Sequence, residues 1–193
     1  MKALLQHLLV QTIYAPAQAA RLIAGLKLPP EAGWMALALA GVFNTLVYFA
    51  NMAMVDLPVD FWIPVIRSPL VYLILSLSFT TVMVFCLYWV GRVQGGRAEL
   101  SLLVTLVAWL LAVQSLADLL FLVLLVFVPM LASLFSMAAG LYGLWIFLNF
   151  VQIAHGFPGK GQAVVTILLA LIGLMTGLTL FISAIGVTSM GIS

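Results

Sequence analysis

Five long apolar runs occupy most of this chain, and charged residues fall almost only in the gaps between the runs. Each run is about long enough to cross a hydrocarbon core of ~30 Å as a helix. A composition of 66% hydrophobic and 6% charged residues excludes a soluble domain, in which roughly a quarter of the residues are charged. The predicted spans are 33–55, 69–90, 100–127, 130–153 and 162–187. The chain is therefore predicted to be an all-α, polytopic membrane bundle of five transmembrane helices.

The residues before the first span form a segment of their own. Residues 1–32 are predicted to be an interfacial amphipathic helical segment, and residues 33–193 the transmembrane domain. The segment mixes Leu, Ile and Ala with Gln, His, Lys and Arg, which makes it too polar to span and too apolar to stay free in water. Pro16 suits the first position of a helix, so the segment is predicted to divide into a helix ending near Tyr14 and a second helix ending near Leu26.

The basic residues are distributed unequally between the two sides of the predicted bundle. Six of the seven lie on one side: Lys2, Arg21, Lys27, Arg92, Arg97 and Lys160. Only Arg67 lies on the other. Short segments rich in Lys and Arg stay on the cytoplasmic side, so the amino terminus is predicted to be cytoplasmic and the carboxyl terminus to lie on the opposite side. In the first external loop, Phe61 and Trp62 are predicted to be anchors at the headgroup level.

The third predicted span, 100–127, is long even for a tilted helix and contains the polar residues Gln114, Ser115 and Asp118. One interpretation is a single tilted helix that brings Asp118 to the far interface, about 27 Å from the helix start at about 1.5 Å per residue. The other is a helix that breaks near Gln114 to Asp118, with its polar group facing the bundle interior. Asp118 is the only carboxylate inside a predicted span, and such groups are costly in a membrane and often functional.

Two further polar stripes are expected to face other helices, because lipid offers them no hydrogen-bond partners. Asn44 and Asn51 stand seven residues apart on one face of the first span, and Asn149 and Gln152 lie in the second half of the fourth. Hydrogen bonds between helices, worth ~0.6 kcal/mol each in membranes, are one interpretation of these stripes. A pathway for a substrate or an ion is the other.

Gly173 and Gly177 in the fifth span form a small-xxx-small pattern. This pattern predicts close helix packing, either within the bundle or between two copies of the chain.

The chain shows no constellation for catalysis or for binding a cofactor. His7 and His155 lack metal-ligand spacing to another His, Cys, Asp or Glu, and no nucleotide-binding or hydrolase motif occurs. The few basic residues do not cluster as a nucleic-acid surface requires. We therefore expect no enzymatic activity, no cofactor, no metal and no nucleic-acid partner.

Three short segments beside the basic gaps carry a family pattern. Residues 15–23 read Ala-Pro-Ala-Gln-Ala-Ala-Arg-Leu-Ile and contain Pro16 and Arg21. The other two segments are Gly95-Gly96-Arg97-Ala98-Glu99-Leu100, which enters the third span, and Gln152-Ile153-Ala154-His155-Gly156-Phe157, which leaves the fourth. Together they resemble bacterial members of the Yip family, the Ypt-interacting five-pass membrane proteins.

The resemblance implies a five-span bundle with a cytosolic amino terminus, no recognised catalytic activity and a part in membrane organisation or trafficking. Two features depart from the family pattern. Ala15-Pro16 stands where Asp-Pro is common, and the long cytosolic arm of the eukaryotic relatives, with its Asp-Leu-Tyr-Gly-Pro segment, is absent from this sequence. A Rab-type GTPase is therefore not expected as a partner, and the bacterial form favours the inner membrane.

Two functional hypotheses follow. The first is a non-enzymatic Yip-type membrane protein that binds partners or organises its own bilayer through the amino-terminal segment and the cytoplasmic loops. Its expected partners are the lipid bilayer, other membrane proteins and a second copy of the chain. The alternative is a small transporter, channel or lipid-moving protein that uses the polar intramembrane residues, which would then have to converge on one hydrated cavity.

Overall fold

The computed structural model describes the backbone of residues 2–54 and 68–190 and the side chains of 3–54, 68–180 and Ser183. Within these ranges the chain forms seven helices and no strand. The helices are α1 Lys2–Tyr14, α2 Pro16–Gly25, α3 Pro30–Met52, α4 Pro69–Val93, α5 Leu100–Phe127, α6 Pro129–His155 and α7 Lys160–Met190. Phe61 and Trp62, the predicted headgroup anchors, lie outside the described residues.

The helices α3 to α7 are long and apolar enough to cross a membrane, which confirms the five predicted spans. Proline starts three of them, at Pro30, Pro69 and Pro129, where its preset φ suits the first turn and its missing N–H is not needed. Gly156 ends α6 in the left-handed conformation, with φ of 67°, which is a common helix stop. Local signals thus account for these four helix boundaries.

The bundle has two ends that differ in charge. One end holds Gln94, Glu99 and Lys160, and we call it the basic end because Arg92, Arg97 and Lys160 lie there. We call the other end of the bundle the opposite end. The helices α3 and α5 run parallel between them. Gly33 of α3 lies against Ser101 and Thr105 near the start of α5, and Asn51 near the end of α3 reaches Asp118.

The third span is one unbroken helix of 28 residues, Leu100–Phe127. A break near Gln114 to Asp118 is therefore excluded. The helix packs against α2, α3, α4 and α6, and Leu103, Val104 and Leu106 are almost completely buried in the core. This central position places the polar face of α5 next to α3.

The helices α1 and α2 form a hairpin that turns at Ala15, as Pro16 predicted. The Nε1–H of Trp109 donates to Oγ1 of Thr12 at 2.9 Å, and the hydroxyl of Tyr142 donates to the backbone oxygen of Ile13. At 1.5 Å per residue, Trp109 lies about 14 Å from the start of α5 and Tyr142 about 20 Å from the end of α6. The turn of the hairpin therefore lies beside the middle of the bundle, a depth that the sequence did not predict.

The second helix of the hairpin packs against α6 through one face. Its buried residues are Pro16, Ala19, Ala20 and Ile23, of which the two alanines are completely covered. Small side chains at these positions allow the two helix backbones to approach closely.

The two glycines of α7 do not pack within the described part of the bundle. A Cβ at Gly173 or at Gly177 would meet no described atom within 4 Å. The close packing predicted for these glycines, within the bundle or between two copies, therefore stays a prediction.

Candidate functional site: a polar chamber beside an apolar groove

Four of the six predicted polar residues line one chamber at the opposite end of the bundle. They are Asn44 and Asn51 from α3 and Gln114 and Asp118 from α5, and the chamber has a volume of about 330 Å³. Its wall is completed by Tyr48, Tyr72, Ala117, Phe121, Phe135, Ser136, Ala139 and Gly140. Asp118 therefore lies on an unbroken helix and also faces the bundle interior, which combines parts of the two interpretations of the third span.

Hydrogen bonds hold the polar residues in position. The Nε2 of Gln114 donates to Oδ1 of Asp118 at 2.9 Å, one turn along α5. Between the helices, Nδ2 of Asn44 donates to Oγ of Ser115 at 3.2 Å, and Nδ2 of Asn51 donates to the backbone oxygen of Asp118 at 3.3 Å. The seven-residue spacing of the asparagines thus places two polar contacts along the same α3–α5 seam.

One buried acceptor in the chamber receives no hydrogen bond from the described residues. No described protein group donates to Oδ1 of Asn51, although Nδ2 of the same amide donates to the backbone oxygen of Val47 at 2.9 Å. A buried polar atom left without a partner costs about 1–3 kcal/mol. A ligand that brings an N–H or O–H group would relieve this cost.

Two stacked tyrosine rings form one side of the chamber. The rings of Tyr48 and Tyr72 have centroids 4.1 Å apart and planes inclined by 10°, and Phe49 meets both rings edge-on. Tyr48 lies on the asparagine face of α3, four residues after Asn44 and three before Asn51, so a helical projection could have found it. No sequence pattern placed Tyr72 in this group, because it lies on another helix, α4.

An apolar groove of about 780 Å³ borders the chamber. Residues that line both spaces are Gln114, Ala117, Phe135, Ala139 and Gly140. The groove follows α5 and α6 toward the hairpin, where Leu9 and Ile13 line it together with Val107. A polar space and an apolar space therefore share one wall.

The other two predicted polar residues, Asn149 and Gln152, lie at the basic end and do not reach the chamber. The Nδ2 of Asn149 donates to the backbone oxygen of Trp145 at 2.7 Å, and Nε2 of Gln152 donates to that of Phe157 at 3.5 Å. Both contacts satisfy local backbone oxygens. They support the helix end rather than a path across the bundle.

His155 forms a packed cluster at the basic end. The ring is 1% exposed, with Nδ1 3.1 Å from the backbone oxygen of Val151 and Nε2 3.2 Å from that of Leu87. Both neighbours are acceptors, so a ring nitrogen bonds either of them only when it carries a proton. The ring of Phe157 stacks on it, with centroids 5.0 Å apart.

Glycine makes room for this ring. A Cβ at Gly91 would collide with the imidazole, and a Cβ at Gly96 would lie 2.5 Å from its Cδ2. The backbone N–H of Arg97 donates to the backbone oxygen of His155 at 2.9 Å. The loops after α4 and after α6 are thereby joined, and we call the group of Gly91, Gly96, Arg97, His155 and Phe157 the histidine clasp.

The remaining family-like residues have separate positions. Gly95 and Gly156 adopt positive φ values of 86° and 67°, which favour glycine, at the two loops of the clasp. Arg21 and Glu99 are exposed, whereas Pro16 is buried at the turn of the hairpin. Sequence inspection missed Gly91, whose contact with His155 crosses from one helix to another.

Comparison with known proteins shows the family to which this chain belongs. The Yip1 domain matches residues 10–182, which include the hairpin turn, the helices α3 to α6, most of α7, the chamber and the histidine clasp. No curated protein and no solved structure matches the chain significantly. Within residues 2–54 and 68–190, no three His, Cys, Asp or Glu side chains group closely enough to hold a metal ion. The Yip1 domain is not a known enzyme family. Because the match covers most of the length of this chain, the chain belongs to the Yip1 domain family of membrane proteins.

Proposed function

We propose that the protein is a non-enzymatic, Yip-type organiser of the bilayer in which it lies, and that the α1–α2 hairpin is the part that acts on the lipid. The observation that carries the proposal is the contact of Thr12 and Ile13 with Trp109 and Tyr142 at the middle of the bundle. Seven helices then fill the half of the bundle at the basic end, and five fill the other half.

This difference in cross-section supplies a mechanism. Each added helix occupies a diameter of about 10–12 Å, so the hairpin widens one leaflet without widening the other. An inserted helix that occupies only one leaflet favours a curved bilayer. Leu4, Leu5, Val10 and Tyr14 are exposed on α1 and suit contact with acyl chains.

The proposal includes an orientation and a membrane. With Arg92, Arg97 and Lys160 at the basic end, that end faces the cytoplasm, because short basic loops are retained there. The widened leaflet is then the cytoplasmic one, and the membrane is a bacterial inner membrane. Other membrane proteins or a second copy bind at the loops of this face.

The depth of the hairpin is tested with a fluorophore on a single cysteine. Tyr14, which is 83% exposed, is replaced in Y14C within a C86S background, and the exposed Gln6 of the same helix is replaced in Q6C as the matched control. About 12 Å of helix separates the two positions. In liposomes of brominated lipids, bromine at mid-chain is expected to quench the label at position 14 most strongly, and bromine near the headgroup the label at position 6. Strongest quenching of both labels near the headgroup would overturn the proposal.

The effect on membrane shape is tested by reconstituting the intact protein and a variant without residues 2–27 at equal density. We expect the intact protein to give smaller, more curved vesicles in electron micrographs. Equal diameters, with both proteins folded by circular dichroism, would contradict an organising role. A pull-down in mild detergent from the same two proteins tests whether partners bind through the same segment.

One observation favours a second candidate, a small transporter or lipid-moving protein. Asp118, Gln114, Asn44 and Asn51 converge on one chamber. Flux of ions or lipids across liposomes, with Asp118→Asn as the comparison, tests it. Absence of any flux in the intact protein would remove this candidate.

A further inference from the structure

We propose that the chamber and the groove together bind one phospholipid whose headgroup carries a primary amine. This goes beyond the organising role proposed for the hairpin, because it concerns the opposite end of the bundle. The two spaces share the wall formed by Gln114, Ala117, Phe135, Ala139 and Gly140, so an amphiphile can place its polar part in one and an acyl chain in the other.

The direction of the combined site matches the direction of a lipid in a bilayer. Asp118 lies about 27 Å from the start of α5, near the far edge of a hydrocarbon core of ~30 Å. Val107, at the inner end of the groove, lies about 10 Å from the same start, beside Ile13 of the hairpin. A lipid of the leaflet at the opposite end would thus keep its headgroup outward and direct its chain inward along the groove, to and slightly beyond the midplane.

The chemistry of the chamber favours a cation with N–H groups. Its described lining contains the Asp118 carboxylate, the unpaired Oδ1 of Asn51 and the tyrosine pair Tyr48 and Tyr72, and it contains no Lys or Arg. A carboxylate and aromatic ring faces attract an ammonium group. The unpaired amide oxygen needs a hydrogen-bond donor, which a primary ammonium group has and a quaternary one lacks.

The sizes of the two spaces fit this ligand. Ligand pockets span about 300–1,000 Å³. The chamber, at about 330 Å³, admits a small headgroup, and the groove, at about 780 Å³, is lined mainly by apolar side chains that suit an acyl chain. The groove is the larger space, as expected for a lipid in which the chains are the larger part.

The site is tested by the lipid that stays with the protein. The full chain is reconstituted in nanodiscs with equal parts of phosphatidylethanolamine, phosphatidylcholine and phosphatidylglycerol, released into mild detergent and analysed by native mass spectrometry. Phosphatidylethanolamine is expected to be retained above the other two lipids. Retention in proportion to the supplied mixture, or preferential retention of the anionic lipid, would overturn the proposal.

Three variants locate the binding. In D118N the charge is lost while an acceptor for Gln114 remains, and we expect about tenfold weaker retention of phosphatidylethanolamine, as for the loss of a hydrogen bond to a charged group. G140L places a side chain where a Cβ meets no atom within 4 Å and where the two spaces join, so it is expected to abolish retention. G173L makes the same change at an equally open position of α7, away from both spaces, and should retain the lipid as the wild type does. Equal retention by all variants would place the lipid elsewhere and contradict the proposal.

A headgroup without chains separates the two halves of the site. Glycerophosphoethanolamine is expected to compete weakly, because it leaves the groove empty. Competition as strong as that of the intact lipid would overturn the role of the groove. These results are independent of the hairpin, whose depth and effect on vesicle shape are measured separately.

Discussion

The two ends of the bundle arrange their described polar residues differently. At the basic end the imidazole of His155 is 1% exposed and has a backbone oxygen near each ring nitrogen. At the opposite end the polar residues surround a chamber of about 330 Å³, and Oδ1 of Asn51 accepts no hydrogen bond from the part of the chain that the structure describes. The first arrangement joins two loops, whereas the second leaves space for a ligand.

The glycines at the two ends also differ in their surroundings. Gly91 and Gly96 lie directly against the ring of His155, so neither position has room for a side chain. Gly140 borders the chamber and the groove, and a Cβ there would meet nothing within 4 Å. Intramembrane polar groups and glycines therefore cannot be assigned to packing or to binding by residue type alone. The assignment depends on which residues surround each group in the folded bundle.

The largest effect is expected from Gly91→Ala in the histidine clasp. The new methyl group collides with the imidazole, and overpacking of this kind lowers the free energy of unfolding by about 1–3 kcal/mol. Unfolding in detergent, followed by circular dichroism, measures the change. Gly140→Ala is the control at the opposite end, where the same substitution should stabilise the helix by roughly 0.5–1 kcal/mol. Equal destabilisation by both substitutions would contradict the conclusion that glycine is tightly packed at the basic end and unpacked at the opposite end.

His155→Ala tests the same contact from the other side. Removal of the ring loses a buried hydrogen bond and its packing, and we expect a loss of stability of about 1–3 kcal/mol. The double variant with Gly91→Ala should be more stable than the sum of the single effects predicts, because the vacated space admits the methyl group. A coupling energy of about 0.5–3 kcal/mol is typical of residues in contact. Strict additivity would show that the contact is not the cause.

A smaller effect is expected from Asn44→Ala. This change removes one hydrogen bond between α3 and α5, and such bonds contribute ~0.6 kcal/mol on average in a membrane. The same unfolding measurement applies, with Asn149→Ala as the comparison at the basic end. A loss as large as that of Gly91→Ala would mean that the chamber residues hold the bundle together.

The smallest effect on stability is expected from Asp118→Asn. The amide keeps an oxygen that can accept from Nε2 of Gln114, and substitutions that leave packing intact change stability by about 0.5 kcal/mol or less. Its large effect should be on lipid retention. A destabilised protein with unchanged lipid retention would reverse the roles assigned to the two ends.

Much of the fold could be predicted because its signals are local. Apolar runs of sufficient length specify spanning helices wherever they occur, since every backbone polar group in lipid must be bonded within its own segment. Proline and glycine marked helix ends at Pro30, Pro129 and Gly156 for reasons contained within a single turn. Pro16 divided the amino-terminal segment for the same reason.

The site was only partly predictable. Asn44, Asn51, Gln114 and Asp118 were recognisable because polar residues in apolar runs must face other helices, yet their convergence on one chamber was not. Asn149 and Gln152 carry the same signal and bond local backbone oxygens at the other end. Whether the residues of a polar stripe line a chamber depends on how far one helix is shifted along its neighbour and how it is rotated about its own axis.

By itself, the sequence determined that the chain is a five-span membrane protein with a divided amino-terminal segment, because length, hydropathy and helix stops act within each segment. Only the tertiary structure decided that the hairpin reaches the middle of the bundle through Thr12 and Trp109, that Gly91 accommodates His155, and that the chamber shares a wall with an apolar groove. The physical reason is that helix packing depends on side chains far apart in sequence, whose relative positions no local pattern specifies.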